Sequence, residues 1–216
     1  MGTDGIDIRV FYEADREAVR RISRETAFLG EPYERFFSDG EILADALTLY
    51  YTDYEPGSCF VATEADRVVG YLTGARDVTA MRCIVRKKIA PALLVKALQK
   101  KALFHRGKIR FLGHILVSFL KGEFFAPDFS KKYPATLHIN LEKGYRGRKI
   151  GKRLIECYIA FLRGEGVRGV HFGTMSERAK GFFLKLGFSV LSSTRRSYLR
   201  YQLKRPLPYY ILGKVL

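Results

Sequence analysis

The chain has 216 residues, enough for one well-buried domain and few for two, and its 47% hydrophobic and 28% charged content is that of a soluble globular protein. Its formal net charge of +16 is unevenly placed: residues 1 to 77 hold 16 acidic and 8 basic side chains, residues 78 to 216 hold 6 and 30, and such a field favours anionic partners. Nucleic acid is disfavoured among them because no zinc-finger spacing, RNP-type motif or helix-turn-helix is present, and no apolar run nears the about eighteen residues of a membrane span.

In chain order, the start carries no secretory n-region or h-region. The stretch from Gly30 to Pro56 is acidic and rich in aromatics. Ile42, Leu43, Ala46, Leu47 and Tyr50 recur at helical spacing, as the packing face of a helix does, while Tyr50, Tyr51, Asp53 and Tyr54 make a set able to hold a cationic amine. Residues 58 to 74 read as a hairpin, two alternating β segments about the polar turn from Glu64 to Arg67. Between Val78 and Gly122 there are eleven Lys or Arg and no Asp or Glu. Residues 81 to 104 are helical on either side of Pro91, and 109 to 120 form a second apolar element. Three readings fit this interleaving of apolar and basic residues. They are helices packed on a sheet with a solvated basic face, a lid over a substrate, and an interfacial hairpin on an anionic membrane surface.

Residues 137 to 151 speak about chemistry. Leu137, Ile139 and Leu141 alternate as in a strand, a glycine-punctuated basic turn follows, and Ile150, Leu154, Ile155, Tyr158, Ile159 and Leu162 recur at helical spacing. A helix N-terminus offers unpaired N–H groups and the positive end of a dipole, so a turn with Gly147, Gly151, Arg146, Arg148, Lys149, Lys152 and Arg153 can hold a phosphate. Neither G-x-G-x-x-G nor the Walker pattern fits. Taken alone, the segment is either a phosphate turn or an ordinary strand-to-helix connection with a solvated basic rim. Residues 166 to 174 read as a loop and a strand, 176 to 188 as S-E-R-A-K-G-F-F-L-K-L-G-F, and 206 to 216 as a short strand or a docked tail in which two prolines argue against a central helix. Cys59, Cys83 and Cys157 are odd in number and lack C-x-x-C spacing, which argues against a disulfide framework or metal site and for a reducing cytoplasm.

Two of these segments carry a resemblance to the GNAT superfamily, the acyl-CoA-dependent N-acyltransferases. Arg146 to Gly151 is similar to the pyrophosphate motif [RQ]-x-x-G-x-[GA], with Lys149 at the central glycine. Residues 176 to 188 resemble N-x-x-A-x-x-F-Y-x-x-x-G-F: Ala179, Phe182, Gly187 and Phe188 match, Ser176 takes the asparagine place and Phe183 the tyrosine place. Residues 8 to 22, with Asp15 near the helix start, resemble the family's first strand and helix, and 58 to 74 its second and third strands. The T-L-H-I-N-L and G-V-H-F strands and the stretch from Gly30 to Pro56 are similar to bacterial proteins related to the acetyltransferase-like domain of O-GlcNAcase. The resemblance implies one α/β (α+β) domain over residues 1 to 216. Its sheet is mixed and mostly antiparallel, strands four and five are splayed, helices lie on both faces, and a basic helical insertion occupies about 76 to 133.

It also implies transfer of an acetyl group from acetyl-CoA, as co-substrate, directly to a primary amine of a small molecule or peptide. Ile139, Asn140 and Leu141 would pair with the pantetheine, and Arg146, Gly147, Arg148, Lys149, Ile150 and Gly151 would hold the pyrophosphate. A β-bulge is usual in strand four of the family and alters which face each residue occupies. His138, the only histidine on that strand, is the candidate base, with a structural role as the other reading of it and of His171 on the next strand; Asp39, Glu41 and Asp77 are carboxylates that could serve instead, and His105 and His114 are placed to touch an acceptor. Phe183, at a cofactor-contacting position, has no proton to give where relatives carry a tyrosine, which leaves Ser176, Tyr145 or water as the acid. Acceptor recognition in the superfamily draws on the region that here runs from about Thr26 to Pro56. The alternative is an acyl-CoA-binding or scaffolding module without efficient catalysis, and peripheral membrane contact and a homodimer stay open.

Overall fold

In the computed structural model, residues 5–28, 30–31, 39–100 and 106–216 are described, without the side chains of 106–112 and 201–202. Alternation of apolar and polar residues sets the first sheet, in which β1 (Ile6–Val10), β2 (Phe60–Glu64), β3 (Arg67–Ala75) and β4 (Thr136–Leu141) lie in that order, all antiparallel. Helix α1 (Arg16–Thr26) and helix α2 (Gly40–Tyr54) cover one face. There Phe11, Val19, Ile22, Val61, Val68 and Tyr71 form a core cluster. Arg20 ties the two helices together through Asp45 and Glu41, and Lys96 reaches Asp45 at 2.5 Å.

After β3 come α3 (Val78–Ile84), a π-turn at Val85–Ile89 and α4 (Ala90–Gln99). Pro91 does not separate two helices. It lies in the first turn of α4, where a missing N–H is tolerated, and the π-turn just before it absorbs the change in hydrogen bonding. Ile89 and Met81 pack with Tyr50 and Ala75, so this part of the insertion rests on α2. Helix α5 (Arg106–Leu120) follows before β4.

The opposite face of the sheet carries α6 (Ile150–Gly164), whose Leu154, Ile155, Tyr158 and Leu162 are buried in the main core. Strand β5 (Gly169–Thr174), α7 (Glu177–Lys185), β6 (Ser189–Arg196), the short α8 (Arg200–Leu203) and β7 (Leu207–Val215) complete the molecule. The tail is thus a nine-residue strand, and it lies between β5 and β6 in a second antiparallel sheet. Pro208 fits because pairing with β5 ends at Tyr210, leaving β7 beyond that point with one neighbour, β6. The two sheets meet at a parallel bridge, Ala135 to Val170.

Candidate functional site

Backbone parity builds the site. The Glu142 N–H donates to the Val69 carbonyl at 3.0 Å, so antiparallel pairing turns the backbone of Asn140 and His138 toward β3 and that of Leu137, Ile139 and Leu141 away from it. Ala135 obeys the same parity: its N–H donates to the Gly169 carbonyl at 3.1 Å, and its carbonyl accepts from His171 N–H at 2.9 Å. Past that bridge β4 and β5 do not pair among the described residues. Ile139 and Leu141 therefore present backbone groups to an open gap. The register of β3 and β4 runs without a shift from Gly70 and Leu141 to Ala75 and Thr136, so the bulge usual in this strand is not found and face follows parity. Ile139 and Leu141 side chains pack with the core under α6. His138 and Asn140 take the other face, beside Tyr71.

The turn after β4 is fastened by its own arginine. Arg146 Nε donates to the Leu141 carbonyl at 3.2 Å and Nη2 to the Gly30 carbonyl at 2.9 Å, so this guanidinium shapes the turn by binding backbone. Arg153 likewise donates to the Ile6 carbonyl at 3.0 Å. Arg148 meets Glu64 at 3.3 Å and lies 5.0 Å from the Tyr145 ring centroid, while the Tyr145 hydroxyl donates to Glu64 at 2.5 Å. Gly147, at φ +86°, and Lys149, at φ +61°, both adopt the left-handed conformation. Lys149 is the N-cap of α6, and no side chain of the described residues caps it, so the first N–H groups of the helix, at Ile150 and Gly151, are open to an anion. Gly151 lies against Phe182 and Leu141: a Cβ there would sit 3.4 Å from Phe182 Cζ and 3.6 Å from Leu141 Cδ1, in ordinary van der Waals contact.

The polar side chains divide between the site and the scaffold. Asn140 Nδ2 donates to Tyr71 Oη at 3.0 Å and lies 2.9 Å from His138 Nε2. With both amide hydrogens used this way, Nε2 accepts and the ring proton sits on Nδ1. Burial holds the His138 pKa below its ordinary value, so the imidazole is neutral near pH 7. Ser176 is the N-cap of α7, its Oγ accepting from Ala179 N–H at 3.2 Å, which leaves its own hydroxyl proton free to donate. Phe183 is buried, with ring centroids 4.3 Å from Phe172 and 5.1 Å from Phe188, and it is the neighbouring Phe182 that reaches the turn.

The alternative bases have structural duties. His171 Nδ1 meets the Tyr133 carbonyl at 2.6 Å, and burial lowers its pKa. Asp39 caps α2, Asp77 caps α3, and Glu41 pairs with Arg20 and Arg24. Asp53 is held by Arg16 at 2.7 Å, and the Tyr50 hydroxyl donates to Glu55 at 2.9 Å with its ring stacked on Tyr54. His114 lies on α5, and His105 falls outside the described residues. Tyr71 escaped the sequence reading because only strand register places it opposite Asn140.

An open strand edge beside the N-terminus of a helix can receive an extended anionic ligand. Residues 18–188 match the acetyltransferase (GNAT) family. Protein O-GlcNAcase from Mus musculus is 25% identical over 185 residues, and that from Rattus norvegicus is 25% identical over 187. Each match covers 83% of this chain and 20% of the relative, so the chain spans about a fifth of the length of these curated relatives. Among solved structures, SsHAT superposes with a TM-score of 0.72 at 26% identity, covering 98% of both chains. A Drosophila melanogaster polyamine N-acetyltransferase, described as catalysing formation of N-acetylagmatine, superposes with a TM-score of 0.58 at 18% identity, covering 98% of this chain and all of its own. The latter likeness shows the fold alone. The fold, the open edge of β4 and the family match together make this chain an acyltransferase that belongs to the acetyltransferase (GNAT) family.

Proposed function

We propose that the chain moves an acetyl group from acetyl-CoA directly to a primary amine of a small molecule or peptide. The observation that carries this reading is the backbone of Ile139 and Leu141 facing the gap, paired there with no strand among the described residues, with the open N–H groups of α6 at its end. Acetyl-CoA supplies the activated thioester carbonyl. Ile139 and Leu141 amides orient it, Asn140 supports the strand face that receives the amine, and the turn from Arg146 to Gly151 holds the pyrophosphate through backbone N–H groups and the charges of Arg148 and Lys149. Neutral His138 takes the ammonium proton, directly or through one water, once Asn140 withdraws the N–H that occupies its Nε2 lone pair; the free amine forms the C–N bond as the C–S bond breaks, and the nitrogen's second proton leaves to solvent. Phe183 offers no proton to the departing thiolate, so the Ser176 hydroxyl or a water gives one.

Calorimetric titration with acetyl-CoA and with desulfo-CoA tests the cofactor: micromolar binding of both is expected, and failure of both sinks the assignment. Consumption of acetyl-CoA across a panel of polyamines, amino acids and lysine peptides then reads out transfer. The buried phenyl ring of Phe183 favours a second reading, an acyl-CoA-binding module without efficient catalysis. Binding without turnover on every amine would select it. Cytoplasmic placement is supported by three free thiols, of which Cys59 is buried with its pKa pushed up to about 12 by desolvation.

A further inference from the structure

Near its C-terminal end helix α5 turns a polar residue, Ser118, inward. Ser118 is 0% exposed, its Oγ 3.2 Å from Ser197 Oγ, whereas Leu116, Val117, Phe119 and Leu120 face solvent. A surface helix ordinarily does the reverse. Leu116, Phe119 and Leu120 stand at i, i+3 and i+4, and the Phe125 ring packs on Phe119 with centroids 5.7 Å apart. These four make one ridge, in which Leu120 is 76% and Phe125 69% exposed. Glu123 fixes it in place by accepting from the Ser197 N–H and Oγ at 2.6 Å each, and Phe124 stacks on Tyr198. Helix α4, earlier in the same insertion, exposes Leu94, Val95 and Leu98 as well, so along the sequence nine of the sixteen exposed large apolar side chains among the described residues fall between 94 and 125. Such concentration marks an interaction surface.

We propose that this ridge docks on an anionic lipid bilayer. The charge of the segment that carries it selects the partner. Residues 78 to 122 hold eleven Lys or Arg and no acid; Arg86, Lys87, Lys88 and Lys121 are exposed, and Lys100 pairs with Asp39. A second copy would set these cations against their like on two chains of net charge +16 each. Nucleic acid would take the cations and leave Leu120 and Phe125 in water. An anionic membrane surface satisfies both, headgroups meeting the cations and the acyl boundary taking the ridge. No helix of the described residues is long and apolar enough to cross a membrane, so the contact is peripheral.

Flotation of the full chain with vesicles of phosphatidylcholine, alone or mixed with phosphatidylserine, tests this at low and high salt. Binding should require phosphatidylserine and weaken with salt. Leu120→Ser with Phe125→Ser should lower partitioning by about tenfold or more, since each buried side chain of this size is worth of that order. Both residues are exposed, so an unchanged unfolding midpoint certifies the fold. Lys87→Gln with Lys88→Gln, which keeps the ridge, should also weaken binding. The proposal is overturned by equal partitioning of parent and ridge variant or by indifference to phosphatidylserine. It is equally overturned by a concentration-dependent dimer in ultracentrifugation that the ridge variant abolishes, which assigns the ridge to a second copy.

Discussion

As the proposed base, His138 is neutral near pH 7 and must shed the hydrogen bond that its Nε2 accepts from Asn140, and its lowered pKa sets where activity should fall away. The group is competent above its own pKa, so kcat/KM should drop as pH falls through a value under the ordinary 6.5, and a pH–rate profile of the parent checks this. His138→Gln should cost about a hundredfold or more in kcat and leave acetyl-CoA affinity unchanged, as kinetics beside calorimetry would show. Arg196 poses a different residue-scale question. It is 6% exposed, its Nη1 has no hydrogen-bond partner among the described residues, and its guanidinium lies between the rings of Phe124 and Tyr209 at 4.9 and 4.2 Å. Because a buried N–H without a partner costs about 1 kcal/mol or more and the ring contacts return less, Arg196→Met should raise stability by about 1 kcal/mol, read as a higher unfolding midpoint. Nothing in the sequence marks Arg196, since burial of a strand arginine depends on what later covers it.

The start of α6 was half legible in the sequence. The motif located the turn and its helix, and Lys149 stood out because the family places glycine there. The structure supplies the reason, a left-handed N-cap that a side chain enters at a cost of about 1 kcal/mol. Lys149→Gly should therefore keep or slightly raise stability while retaining the open N–H groups, and tighter acetyl-CoA binding than in the parent would show that the side chain restricts the turn. Arg146 was legible by position but not by deed, because its carbonyl partners at Gly30 and Leu141 come from other parts of the chain. The pairing of α1 with α2 rests on Asp45, where burial pushes the carboxyl pKa up but Lys96 and Arg20 pull it further down. A depressed carboxylate stabilises the fold above its unfolded pKa and loses that contribution as pH falls through the folded value. Asp45→Asn should thus cost about 3 kcal/mol in urea unfolding near neutral pH, with the difference from the parent shrinking in acid.

At the scale of the molecule, the alternation of 58 to 74 and 137 to 141 and the helical periodicity of 150 to 162 revealed the first sheet and its covering helix, because each pattern is local. The second sheet was harder to foresee. Residues 206 to 216 alternate too weakly around Pro206 and Pro208 to declare a strand, and only three-dimensional order shows β7 between β5 and β6. That order has a consequence for synthesis. As the chain leaves the ribosome, β5 emerges well before β7, and until residues 210–215 pair with 169–174 it has one bridge, to Ala135, to hold it. One long edge is then wholly open and the other is held at that bridge alone, so the strand across the gap from β4 is exposed to wrong partners until β7 has been made.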